Sequence, residues 1–63
     1  MSIHIYKGHV IEIEAIECYA ETTYVGDIYH NGGLLATYKD PAEAGILSIC
    51  VTYIDNLGED EDE

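Results

Sequence analysis

The stretch Asp40–Leu57 carries the only clear helix pattern in the chain, and it constrains how the preceding residues can fold. Asp40 is a suitable N-cap, Pro41 suits the first helical position, and Glu43 follows Asp40 by three residues, as in a capping box. Gly58 is placed to end the helix. The remaining elements must therefore form a sheet that this one helix covers.

The predicted helix is more apolar than one buried stripe requires. Ile49 and Val51 lie off the stripe, and single exposed apolar residues are common. A second interpretation is that these two residues contact a second copy of the chain or another partner, because a 63-residue domain gains stability from oligomerisation. The stripe itself consists of Ile46, Leu47, Cys50, Tyr53, Ile54 and Leu57.

Two runs before the helix alternate with period two, as expected of strands with one buried face. The first is Ile3–Tyr6 and the second begins at His9. Between them, Lys7-Gly8 fits either a tight hairpin turn or a kink within one long strand. The second run places Ile11, Ile13 and Ala15 on one face and Glu12 and Glu14 on the other.

The next segments complete an antiparallel meander. Glu17–Thr22 is polar enough to be a connection, and Thr23–His30 is rich in strand-forming residues. Asn31-Gly32-Gly33 is the clearest turn, and Leu34–Lys39 is a short strand. The sequence predicts an α+β domain over residues 1–57, in which one C-terminal helix packs on one face of a three- or four-stranded antiparallel sheet. Residues 58–63, GEDEDE, are predicted to be an acidic disordered tail.

The charge balance restricts the partners that the chain can bind. The net charge is −11, with thirteen acidic residues against two lysines. Such a chain is repelled by nucleic acid and by anionic membranes, and it attracts basic proteins. We expect a basic nucleic-acid-binding protein as partner, with no direct binding to nucleic acid or membrane.

The sequence has no export signal and no apolar run long enough to span a membrane, so a cytoplasmic protein is expected. Cys18 and Cys50 are then expected to be reduced, with a disulfide between them as the less favoured alternative.

Enzyme motifs are absent from the sequence. The histidines and cysteines form no nucleophile or zinc-ligand spacing, and no glycine-rich loop precedes a helix as in phosphate sites. Glu12, Glu14 and Asp27 on neighbouring strands could in principle hold metal ions, but a nuclease with this charge would repel its substrate. We expect no catalysis, no cofactor and no metal site.

The sheet face turned away from the helix is the predicted interface. It should carry Glu12 and Glu14 with Thr23, Val25, Asp27 and Tyr29, and His4 and Tyr6 could join them. Tyrosines are common in interfaces, and carboxylates steer basic partners. A solvated surface that only keeps the chain soluble is the simpler alternative. The partner-binding residues predicted from sheet and tail are Tyr6, Glu12, Glu14, Asp27, Tyr29, Glu59, Asp60, Glu61 and Asp62.

The segment IYKGHVIEIEAIE resembles the start of the N-terminal domain of HicB-type antitoxins. A later strand with Gly26-Asp27-Ile28, a turn, a short strand and a terminal helix extend the resemblance over residues 5–57. The resemblance implies a partly truncated RNase H-like sheet without catalysis, which binds and masks a basic toxin RNase. This chain has only acidic residues where that family carries a DNA-binding segment, so we do not expect it to regulate an operon.

The size and charge of the chain also resemble those of small acidic inhibitors from phages and other mobile elements, which include anti-CRISPR proteins and DNA mimics. Three hypotheses follow. The first is an anti-CRISPR-type inhibitor that blocks a basic nucleic-acid-binding surface. The second is a HicB-like antitoxin, and the third is a structural or accessory subunit that joins a larger assembly.

Overall fold

A computed structural model describes the backbone of residues 1–61 and the side chains of residues 1–57. Four strands precede one helix, which confirms the predicted α+β class. The elements are β1 (Ser2–Tyr6), β2 (His9–Cys18), β3 (Glu21–His30), β4 (Gly33–Asp40) and α1 (Glu43–Glu61).

The four strands form one antiparallel sheet in sequence order, β1-β2-β3-β4. Lys7 and Gly8 both have positive φ, 49° and 78°, and Tyr6 pairs with His9 across them. This is a two-residue hairpin turn, so the kinked-strand alternative is wrong. The segment Glu17–Thr22 is not a connection as predicted, because pairing continues to Cys18↔Glu21 and leaves only two residues in the turn.

The helix covers one face of the sheet, here called the inner face. Ile11, Ile13 and Ile28 are at most 2% exposed and pack with residues of α1, as the alternation predicts for Ile11 and Ile13. On α1, the buried positions are Ile46, Cys50 and Ile54, at a spacing of four. Leu47 and Leu57, which were also predicted on the stripe, are only partly buried. The buried stripe is therefore centred on Ile46, Cys50 and Ile54.

Gly26 on β3 permits the close approach of helix and sheet. A methyl group at this position would lie 2.9 Å from both Cys50 Sγ and Ile46 Cγ1. Only a residue without Cβ allows α1 to pack at this distance from β3.

Both ends of α1 differ from the prediction. The helix begins at Glu43, because β4 continues through Asp40; the Asp40 carboxylate accepts the Ala42 N–H at 2.9 Å. The helix also continues through Gly58 to Glu61, so the predicted end at Gly58 is wrong. A glycine costs a helix only about 1 kcal/mol relative to alanine and does not have to end it. The predicted tail disorder falls in part on Asp62 and Glu63, which lie outside the described residues.

The distal parts of β2 and β3 project beyond the rest of the sheet. β1 pairs with β2 only as far as Ile13, and β4 pairs with β3 only as far as Tyr24. Beyond these residues the two strands pair only with each other, up to the turn at Tyr19. Cys18 is exposed on this projection while Cys50 is buried in the core, and both thiols are free.

Candidate protein interface

The sheet face opposite the helix, here called the outer face, is ordered in rows that cross the strands. Strand register places Ile5, Val10, Tyr29 and Leu34 side by side, and we call these four residues the apolar row. The next row on the same face is Ile3, Glu12, Asp27 and Thr37, which we call the acidic row.

The apolar row leaves much of its hydrophobic surface in contact with solvent. Ile5 is 77% exposed and Leu34 is 57% exposed, and Ile3 in the adjacent row is 59% exposed. Contiguous exposed apolar side chains are more informative than single ones, because they often mark binding surfaces. Sequence reasoning missed this row. The signal that could have found it is a two-residue turn at Lys7-Gly8, which fixes Ile3 and Ile5 on the outer face.

The acidic row sets two carboxylates directly opposite each other. Glu12 on β2 pairs with Asp27 on β3. Thr37 donates a hydrogen bond from its hydroxyl to Asp27 Oδ1 at 2.9 Å, but among the described side chains neither acid forms a salt bridge. Glu14 adds a third carboxylate on this face. Like charges directly across a strand pair are unfavourable, so a cation from a partner would relieve this arrangement.

Tyr29 belongs to the apolar row and lies close to the two carboxylates of the acidic row. Partial burial raises the pKa of its hydroxyl, and the negative charges of Asp27 and Glu12 raise it further. The hydroxyl therefore stays protonated near neutral pH and provides a hydrogen-bond donor beside the acids. An amphipathic ring in this position is typical of interface residues.

Tyr6 was predicted on the outer face, but it lies on the inner face. The pairing Tyr6↔His9 places its side chain with Ile11, and the same register places His4 there too. The Tyr6 hydroxyl donates to Asp55 Oδ1 at 3.0 Å, and Lys7 Nζ lies 2.8 Å from the same oxygen. Tyr6 therefore fastens β1 to the helix.

This contact changes the titration of both partners. The hydrogen bond to Asp55 raises the pKa of Tyr6, with smaller contributions from burial and from the Asp55 charge. Hydrogen bonds from Lys7 and then from Tyr6 lower the pKa of Asp55.

The acidic residues predicted in the tail are placed only by their backbone. Glu59, Asp60 and Glu61 fall in the last turn of α1, and Asp62 lies outside the described residues. Their part in partner binding stays a prediction.

The two residues predicted to contact a second copy are less exposed than expected. Ile49 and Val51 are partly buried and pack against the core. An open groove borders Ile49 between Tyr38 and Tyr53, whose rings lie 5.8 Å apart. A homodimer through this side of α1 stays a prediction.

Among the described side chains, those of residues 1–57, no group of three or more His, Cys, Asp or Glu is placed to hold a metal ion. No helix in the described part of the chain has an apolar stretch that is long enough to cross a membrane.

Comparison with known proteins gave no significant match to any family model, curated protein or solved structure. The fold and the outer face are therefore the basis for any functional argument.

Proposed function

We propose that this chain is a non-enzymatic inhibitor that binds a basic, nucleic-acid-binding surface of another protein through its outer face. The observation that supports the proposal most is the direct opposition of Glu12 and Asp27 beside the exposed apolar row. Folding does not explain an unfavourable pair of charges next to solvent-exposed isoleucines. Binding of a basic surface with an apolar margin would satisfy both.

The two rows would have different parts in binding. Carboxylates on an exposed face mainly speed the encounter with a basic partner and select against acidic ones. Desolvation of apolar side chains contributes most of the affinity at the centre of an interface. The acidic row would therefore control association, and Ile5, Tyr29 and Leu34 would control dissociation.

Within this class, an anti-CRISPR-type inhibitor is our first candidate and a HicB-like antitoxin is the second. Both would cover a surface on which the partner binds nucleic acid. Rescue of growth from an adjacent small toxin would identify the antitoxin, whereas loss of CRISPR interference would identify the other. An accessory subunit would show neither effect.

The test uses two variants with equal loss of charge. Glu12→Gln with Asp27→Asn removes two carboxylates from the acidic row, and Glu17→Gln with Glu43→Gln removes two from elsewhere. After capture of a partner on the immobilised chain, association is measured at low and high salt, with and without competing nucleic acid.

We expect the acidic-row variant to associate at least ten times more slowly, and the control variant to be much less affected. Salt should slow the native chain steeply, since exposed charges are screened over about 8–10 Å at 0.1–0.15 M salt. Equal slowing in the two variants, or binding that nucleic acid does not compete with, would refute the proposal.

A further inference from the structure

The two edges of the sheet differ in their protection against pairing with another strand. On β4, the register with β3 passes over Leu35, which forms a β-bulge, and the strand ends with the charged residues Lys39 and Asp40. Bulges and charged side chains are the usual devices that keep an edge strand from pairing with other chains. β1 has neither, because its register with β2 is unbroken and it contains no lysine, arginine, acid or proline. β1 is therefore the edge that is open to another strand.

The register of β1 shows which of its backbone groups face this edge. Tyr6 and His9 flank a two-residue turn, so they form a hydrogen-bonded pair. Hydrogen-bonded and non-hydrogen-bonded pairs alternate along an antiparallel ladder, so the other even-numbered residues of β1 also bond to β2. The N–H and C=O groups of Ile3 and Ile5 point the other way. No strand in the described part of the chain pairs with them there.

The spacing of these two isoleucines makes the edge complementary to itself. When a second copy lies antiparallel about a twofold axis at His4, each Ile3 stands opposite Ile5 of the other copy. Each of these pairs exchanges both of its N–H···O=C hydrogen bonds, so all the edge groups of Ile3 and Ile5 are satisfied. A register moved by two residues sets one isoleucine opposite its own copy and the other opposite a residue outside β1. The register about His4 is therefore the favoured one.

The same register brings together the most exposed side chains of β1. Ile3 and Ile5 are 59% and 77% exposed in the single chain. In the paired strands, the isoleucines of both copies would lie side by side at the centre of the joined sheet. Cross-strand pairs of β-branched side chains stabilise antiparallel strands. Pairing would thus cover apolar surface as well as backbone groups.

The distribution of charge allows two chains of net charge −11 to meet at this edge. Glu12 is the first acidic residue of the sequence, so β1 carries none of the thirteen acids. Asp55, which contacts β1 through Tyr6, is paired with Lys7. The β2 strands of the two copies would be three strand spacings apart, about 14 Å. Their carboxylates are then farther apart than the Debye length of about 8–10 Å at 0.1–0.15 M salt, which screens their repulsion.

We propose that β1 pairs with β1 of a second copy, antiparallel about His4, to form a dimer with one continuous sheet. The contact is made by backbone groups at the edge, so the proposal does not rest on the proposed inhibitor function. Both outer faces lie on the same side of the joined sheet, which would present two acidic rows together. A contact between two short strands buries little area, so the dimer is reversible.

The test compares two double variants by sedimentation equilibrium over a wide range of chain concentration. Ile3→Lys with Ile5→Lys sets lysine opposite lysine across the twofold axis. We expect this variant to dimerise at least tenfold more weakly than the native chain, although its net charge falls in magnitude by two. Ile3→Lys with Ile5→Glu keeps the net charge of −11 and sets lysine opposite glutamate of the other copy. We expect this matched control to dimerise like the native chain, and circular dichroism checks that both variants fold.

A second measurement on the native chain needs no variant. Backbone hydrogen exchange followed by NMR should show that the amides of Ile3 and Ile5 become protected as the concentration of the chain rises. A dimer through Ile49 and Val51 of α1 would leave these two amides unprotected. The proposal is overturned by that result, by a native chain that stays monomeric at the highest concentration, or by equal weakening in the two double variants.

Discussion

The two faces of the sheet are built from the same strands but differ in burial and in charge. On β2, Ile11 and Ile13 are almost fully buried on the inner face, while Glu12 and Glu14 alternate with them on the outer face. Apolar groups contact apolar groups on the inner face. On the outer face a carboxylate faces a carboxylate, and Ile5 is 77% exposed. Folding accounts for the inner face, but it does not account for the opposed carboxylates and exposed apolar side chains of the outer face.

The largest expected effect is the loss of a buried side chain from the inner face. Ile11→Ala should lower the free energy of unfolding by about 2–5 kcal/mol, because it removes apolar contacts and leaves a cavity. In a domain of this size, each 1 kcal/mol shifts Tm by roughly 4–8 °C. Thermal unfolding followed by circular dichroism measures the change.

Ile5→Ala is the matched control, since it makes the same change on the outer face. We expect its effect to stay within about 0.5 kcal/mol, as for other exposed positions. Similar losses of stability in the two variants would contradict the distinction between the faces.

The next effect tests the contact between helix and sheet. Gly26→Ala should lower the free energy of unfolding by about 1–3 kcal/mol, because its methyl group would overlap Cys50 and Ile46. Gly33→Ala is the control, since the nearest atom to a methyl group there is the His30 carbonyl oxygen at 3.7 Å. Denaturant unfolding should show Gly33→Ala near the native value. An unchanged Gly26→Ala would mean that α1 does not pack as closely as described.

The sequence predicted the inner face well because its signals are local and repeated. Alternation at Ile11 and Ile13 identified one wall of the core, and the helix pattern identified the other. A glycine in the middle of a strand is typical of a close approach of another backbone or of a bend, and at Gly26 the helix does approach closely. None of these inferences depends on knowing how two strands are aligned.

The outer face could be predicted only in part, because its composition depends on register. A shift of one residue moves a whole strand to the opposite face. The sequence leaves open whether Lys7-Gly8 is a turn or a kink, so it does not fix which face β1 presents; it therefore predicts Tyr6 on the wrong face and does not reveal the apolar row. The opposition of Glu12 and Asp27 likewise required the β2–β3 alignment. Pairing across strands is long-range information that a single strand pattern does not contain.

A smaller effect concerns the bond that fastens β1 to the helix. Tyr6→Phe should lower Tm near neutral pH, because it removes the hydrogen bond to Asp55. Tyr38→Phe is the control: it also changes a partly buried tyrosine on the inner face, and the Tyr38 hydroxyl makes no hydrogen bond to another described residue.

The pH dependence of that difference follows from the two pKa shifts. The pKa of Asp55 is lowered from 3.8, so its contribution is present above that value and is lost as pH falls further. The pKa of Tyr6 is raised from 10.0, so its contribution is present below that value and is lost as pH rises further. The Tm difference between native chain and Tyr6→Phe should therefore shrink below about pH 4 and above about pH 10. A difference that is constant with pH would show that the bond does not form.

The smallest expected effect has the opposite sign and belongs to the outer face. Glu12→Gln or Asp27→Asn should each raise the free energy of unfolding by about 0.2–1 kcal/mol, because either change removes a repulsion between directly opposed charges. The double variant should gain less than the sum of the two, since one substitution already relieves the pair. The gain should decrease in high salt, which screens the repulsion in the native chain. Glu17→Gln, away from the acidic row, controls for the general reduction of net charge.

If the acidic row serves binding, the substitutions that make the isolated domain more stable are the same ones that slow its association with a basic partner. Additive gains that persist in high salt would show that Glu12 and Asp27 do not repel each other, and the outer face would then lose its main mark of function.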